Sequence, residues 1–330
     1  MELFTNGIGL SAVVFFPLIS AFVITLIPKA QEQLIKRFAL ASSLITFVLS
    51  AVLLFQFDFS SADKLQLGNK ISWIKSINAN YEIGIDGISL PLLVLSTFIT
   101  VLAIIYSIEH LPEPKSPKGF LALILVLETG MNGTFVALDL ILFFVFFEIV
   151  LLPMYFMTGI WGDKTVRTVS GFKNQIETRL YASIKFFVFT LFGSAFMLLG
   201  FLGLYYRGNK TFSIPELIEL GTSGAFTGTF ATLVFAVLFL GFAVKVPMWP
   251  LHTWLPDAHT AAPTVGSVLL AAILLKLGSY GFVRIAIPIL PEQAKAWAPA
   301  IAILSAIGII YGSLACLAQT DLKRLIAFSS

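Results

Sequence analysis

The chain has 330 residues, of which 58% are hydrophobic and only 12% charged, where soluble domains carry about 25% charged residues. With a mean hydropathy of +0.93 and apolar runs of roughly 20 residues along its length, it reads as an all-α polytopic membrane protein. The net charge of +3 comes from basic residues scattered through loops, with no patch for nucleic acid. The single cysteine, Cys316, excludes a four-cysteine iron–sulfur cluster or an intrachain disulfide from this stretch.

The first predicted span, 8–27, has no basic residue before it and Lys29, Lys36 and Arg37 after it. A secretory signal has the opposite arrangement, so this is a permanent span with its N-terminus outside. Spans two to six are predicted at 38–57, 86–108, 119–137, 138–160 and 181–205. Residues 58–85 form a polar connection of hairpin length, with Trp73 and Tyr81 suited to an interface belt. Residues 161–180 are the most basic connection, with Lys164, Arg167, Lys173 and Arg179. The SIPELIEL run within 207–225 predicts an interfacial turn of helix. Spans eight and nine are predicted at 263–287 and 297–318. The final run, LKRLIAFSS, has no terminator and reads as the start of a tenth helix in a longer chain. In this orientation eleven basic residues fall in cytoplasmic loops and seven outside, as the positive-inside rule expects.

Span seven is different. As one straight helix, residues 226–260 would be ~52 Å long at ~1.5 Å per residue, against a hydrocarbon core of ~30 Å. Pro247, Pro250 and Pro256 fall within it. Pro247 cannot donate to the Ala243 carbonyl, nor Pro250 to that of Val246, and lipid offers those carbonyls no partner. The helix is therefore expected to break beside Lys245, where a half-helix C-terminus favours a cation.

Ionisable residues deep in spans are costly and usually face a bundle interior. Glu148 lies near the middle of span five, Lys276 near the middle of span eight, and Lys245 at the break. Glu128 is central in span four and Lys185 one turn into span six. His252 and His259 flank the break. Each has a plainer reading: Lys185 can snorkel to the interface, as can Lys245 if span seven ends near Pro247; Glu128 can be a protonated carboxyl bonded to a neighbouring helix; Glu148 and Lys276 can form a purely structural buried ion pair; and either histidine can be a helix-end cap. No set with catalytic zinc spacing is present in the sequence. Buried acids and amines both prefer to be neutral unless each ionises against the other. Glu148, Lys245 and Lys276 thus suit proton transfer, and moving one charge against 100 mV takes only ~2.3 kcal/mol.

The stretches LFFVFFEIVLLPMYFMTGIWG, RLYASIKFFVFT, FAVKVPMWPLHTWLPDAHTAAPTVGSVLLAAILLKLGSYGFVR and AQTDLKRLIAFSS resemble the antiporter-like membrane subunits of respiratory complex I, the bacterial proton-pumping NADH–quinone oxidoreductase. The resemblance implies a fourteen-helix fold with two inverted five-helix repeats, each with one broken helix. Residues 1–117 would hold the N-terminal spans, 118–290 the first repeat, and 291–330 the beginning of the second. It implies that Glu148, Lys245 and Lys276 carry protons, with Lys185 and His259 secondary; His252 and Glu128 are secondary candidates by their positions in the sequence alone. It further implies a bacterial inner-membrane location and partners among the other membrane and hydrophilic subunits. Those partners would handle NADH, flavin, iron–sulfur clusters and quinone, leaving this chain without a cofactor of its own. Two departures stand out: the loop DKTVRTVSGFKNQIET is longer than usual, and Glu128 matches no working position of the family. A subunit of a multi-subunit sodium–proton antiporter, or of a hydrogenase-type complex, is the alternative reading.

Overall fold

The computed structural model describes residues 7–167 and 175–330. Lys173 and the middle of the long basic loop lie outside the described residues. Among the described residues, nine helices are long and apolar enough to cross a membrane. The chain divides into two compact units, one of residues 1–154 with 211–214, the other of residues 155–210 with 215–330.

In the first unit, α1 (Ile8–Leu26), α2 (Glu32–Gln56), α3 (Ser89–Glu109) and α4 (Pro117–Val136) pack together. Between α2 and α3 the polar connection folds as an antiparallel hairpin, β1 (Gln66–Ile74) and β2 (Ala79–Ile85), as its length predicted. Helix α4 is central, with 15 of its 20 residues buried. Small residues admit its neighbours: a Cβ at Gly130 would lie 2.7 Å from Val150 Cγ1, and one at Gly133 would overlap the Phe146 ring. Proline shapes α1. Pro17 cannot donate to the Val13 carbonyl, and Asn132 Nδ2 donates to it instead at 3.4 Å. Ser96 Oγ in turn donates to Asn132 Oδ1 at 2.8 Å. Such interhelical polar contacts replace the hydrophobic drive that helices lack between themselves in lipid.

The fifth span is predicted as one helix and is found as two pieces, α5 (Leu140–Ile149) and α6 (Leu151–Trp161). Pro153 cannot donate to the Ile149 carbonyl, so the ladder is interrupted where Glu148 sits. Asp139 caps α5: Oδ1 accepts from the N–H groups of Ile141 and Leu142, and Oδ2 from that of Asn80 on the hairpin. Losing an N-cap costs about 0.5–2 kcal/mol, and the Asn80 N–H would also lose its acceptor. Asp139→Ala should therefore lower the thermal midpoint of the full-length protein by several degrees, measured in detergent. An unchanged midpoint would show that the cap contributes nothing.

The second unit includes a short ladder, β3 (Val166–Arg167) with β4 (Ile176–Glu177). It contains α7 (Thr178–Arg207), α8 (Ile214–Thr222, from Pro215 on), α9 (Gly228–Lys245) and α10 (Trp254–Ala261). Helix α8 is the turn expected from SIPELIEL. Helices α7 and α9 cross closely at two glycines, since a Cβ at Gly241 would lie 2.8 Å from the Gly193 carbonyl oxygen. Span eight runs through α11 (Thr264–Leu269), a π turn at Leu270–Leu274, α12 (Leu275–Gly281), a second π turn at Phe282–Ala286 and α13 (Ile287–Ile289). Span nine is α14 (Pro291–Leu317), which starts earlier than predicted because Pro291 occupies the first helical turn, where its missing N–H is harmless. Asp321 accepts from the Arg324 N–H and opens α15 (Leu322–Ser329), the helix expected from LKRLIAFSS.

Candidate functional site at the broken helix

The break falls where the prolines place it. Helix α9 ends at Lys245, and α10 resumes at Trp254. Two of the carbonyls at the break have identified donors. Ala243, which Pro247 cannot serve, accepts from the Met248 N–H at 2.9 Å. Val244 accepts from the indole Nε1 of Trp254 at 2.9 Å. Trp254 is fully buried and its ring lies 5.4 Å from that of Phe186. Lys245 thus stands at the C-terminal end of a half-helix with only 2% of its surface exposed. The half-helix dipole favours its ammonium there, while burial opposes it.

Helix α10 is fixed to α7 by an ion pair, Lys185 Nζ to Asp257 Oδ2 at 2.8 Å, with side chains 19% and 13% exposed. Lys185 therefore does not snorkel to the interface. At the other end of α10, its last carbonyls also find donors. His259 accepts from Ser267 Oγ at 2.9 Å and Ala261 from the Asp163 N–H at 2.8 Å, while Ala262 accepts from Lys323 Nζ. Both histidines lie in this unit. His259 is buried, and its Nε2 has no hydrogen-bond partner among the described residues. His252 sets its ring 5.1 Å from that of Tyr311, with Nδ1 likewise unpartnered. It lines a cavity of about 540 Å³ with Trp249, Tyr311, Cys316 and Ser329.

Span eight returns past the break. A Cβ on Gly278 would lie 3.0 Å from Lys245 Cβ and 2.9 Å from Val246 Cγ2, so only glycine lets α12 approach this closely. Lys276 is on the exposed side of α12, and its Nζ donates to the Ala271 carbonyl at 2.5 Å. Of the predicted residues, this unit therefore assembles Lys185, Lys245, His252, His259 and Lys276 around one interruption. Glu148 and Glu128 belong to the first unit. Glu148 is half-buried at the end of α5, next to the ladder interruption. Glu128 is fully buried, and neither carboxyl oxygen has a hydrogen-bond partner among the described residues. The neighbouring-helix bond expected for it is not found there.

Three contributors are absent from the sequence reading: Trp254, Asp257 and Lys323. Asp257 carried a legible signal, an acid three residues after Trp254 in a segment too polar to face lipid. Trp254→Phe keeps the ring and removes the indole donor, leaving the Val244 carbonyl unpaired at a cost of about 1–3 kcal/mol. The full-length variant should unfold at a lower temperature than the parent. Equal midpoints would mean that another donor takes the carbonyl.

Comparison with known proteins agrees with this architecture. Residues 137–330 match the family model described as NADH:quinone oxidoreductase/Mrp antiporter, transmembrane region. The chain belongs to that family. Residues 13–134 match a second model, the amino terminus of NADH-ubiquinone oxidoreductase chain 4. The chain is 40% identical over 330 residues to the NADH-quinone oxidoreductase subunit M of Rickettsia bellii, covering 97% of this chain and 62% of that protein. It is 41% identical over 322 residues to the NADH-ubiquinone oxidoreductase chain 4 of Arabidopsis thaliana, covering 98% of this chain and 61% of the relative. The fold superposes on a chain of respiratory complex I from Thermus thermophilus with a TM-score of 0.80 at 26% identity, covering 97% of this chain and 61% of that one. It also superposes on a chain of an archaeal membrane-bound sulfane sulfur reductase with a TM-score of 0.79 at 22% identity, covering 97% and 61% of the two chains, a likeness of fold alone. The chain thus spans about 62% of the length of such relatives. As a member of the NADH:quinone oxidoreductase/Mrp antiporter family, it is an integral multi-pass membrane protein of the antiporter-like all-α class.

Proposed function

We propose that this chain belongs to a proton-translocating membrane subunit of an NADH–quinone oxidoreductase. In this reading it sits in a bacterial inner membrane with its N-terminus outside. It carries protons while other membrane and hydrophilic subunits conduct the redox chemistry. The observation that carries the proposal is Lys245, a cation 2% exposed at the end of an interrupted membrane helix. An ionisable side chain so placed is expensive to keep, and its usual use is an ion or proton path. Burial disfavours the ammonium and the half-helix terminus favours it. Opposed influences of this kind let a small change in surroundings move the proton on or off.

Glu148 and Lys276 are the other members proposed for the path, with Lys185, His252, His259 and Glu128 as secondary contributors. Residues 118–290 are proposed as the first of two inverted repeats. The test uses the full-length protein assembled in its complex in native membranes. Glu148→Gln keeps the shape of the side chain and removes its proton exchange. NADH oxidation should continue in the assembled variant with fewer protons moved per electron. A parental stoichiometry would overturn the reading for Glu148. Sodium–proton exchange that runs without any electron donor would instead assign the chain to the antiporter branch of the family.

A further inference from the structure

Span eight carries two π turns on either side of α12. A π turn is uncommon and inserts one extra residue into an α-helix. In the first turn the N–H of Leu275 reaches back five residues to the Leu270 carbonyl. The Ala271 carbonyl thereby loses its ordinary donor, in a setting where lipid cannot replace it. Lys276 Nζ supplies the missing donor at 2.5 Å. The segment that follows is in close contact with the break. Gly278 lies against Lys245 and Val246, and a Cβ on Gly281 would overlap the ring of Phe242 on α9.

We propose that Lys276 is a positioning residue: by occupying the Ala271 carbonyl it holds the extra residue in the first π turn, and so sets the face that α12 presents to Lys245. If the extra residue left this turn toward the C-terminus, α12 would rotate by about 100°, one residue of a 3.6-residue turn. A neighbour of Gly278 would then be brought toward a place that has room only for a hydrogen atom, and the Lys245 end of α9 would have to yield. Charge-assisted hydrogen bonds are about twice as strong as neutral ones, so the ammonium favours the observed register more than the neutral amine does. The register and the contact with Gly278 are independent of whether Lys245 carries protons; only their consequence for translocation rests on the proposed function.

The test compares Lys276→Met, which fills the space without a donor, with Lys276→Arg, which keeps the donor and the charge. Both are made in the full-length protein within its complex. Cryo-electron microscopy of the Met variant should show the Leu275 N–H off the Leu270 carbonyl and α12 rotated, while the Arg variant keeps the parental register. Where the Met variant yields no particles, thiol labelling in native membranes gives the same answer. Ser279→Cys, at an exposed position of α12, is introduced into a background freed of other reactive cysteines, including Cys316. Labelling by a lipid-soluble maleimide should fall several-fold when Lys276→Met is added and hold with Lys276→Arg. Unchanged register and labelling in the Met variant would overturn the proposal. If translocation were lost while the register held, the positioning role would fall and the proton path would stand.

Discussion

Lys245→Ala in the full-length protein is expected to abolish the protons moved by this subunit while the complex still assembles and oxidises NADH. The side chain is almost wholly buried at a helix end, where an ionisable group is costly to keep and usually serves an ion or proton path. Assembly of the variant is checked by recovery of the intact complex from membranes. Lys245→Arg separates the two things a lysine can do here. Guanidinium keeps the positive charge at the half-helix terminus but does not release its proton in a protein. The Arg variant should therefore fail in translocation as the Ala variant does. If Lys245→Arg pumped at the parental ratio, the fixed charge alone would matter, and a proton would not reside at this position.

The second large effect is expected at Asp257. Its carboxylate and the Lys185 ammonium are 2.8 Å apart and mostly withdrawn from solvent. Removing one partner of a buried pair costs about 3–5 kcal/mol, because the other is left as an unpaired buried charge. With 19% and 13% of the side chains exposed, the lower end of that range applies to Asp257→Ala. The pair ties α10 to α7, so the variant should give a lower thermal midpoint and reduced assembly of the full-length protein. Replacing both partners, Lys185→Met with Asp257→Leu, should recover most of the loss, since well-packed apolar residues often match a buried ion pair. A single Asp257→Ala variant as stable as the parent would show that water already shields the pair.

The sequence carried the architecture because the bilayer imposes a length on every element. Runs such as Ile8–Leu26 and Gly228–Lys245 have no other stable place to be, and the prolines after Lys245 have no N–H to continue the helix. The break was legible for that reason, as was its cation. What fills the broken ladder was not. Nothing in a one-dimensional pattern says that Trp254 turns its indole back to Val244, or that Lys323 reaches Ala262 across 61 residues. The π turns were equally silent, because they shift a helix by one residue without changing its apolar character. Lys185 shows a different limit. Its depth allowed snorkelling, and only the fold supplied Asp257, 72 residues away. Span nine, in contrast, was found from composition alone although none of its residues is buried.

Proton translocation as proposed here requires Glu148 and Lys245 to serve one route in series. The most direct measurement is the proton-to-electron ratio of the assembled full-length complex carrying Glu148→Gln, Lys245→Ala or both, read in sealed membrane vesicles from the same NADH pulse. Steps in series fail as a unit, so the double variant should move as few protons as either single one. Losses that add independently, or a parental ratio in either single variant, would contradict it.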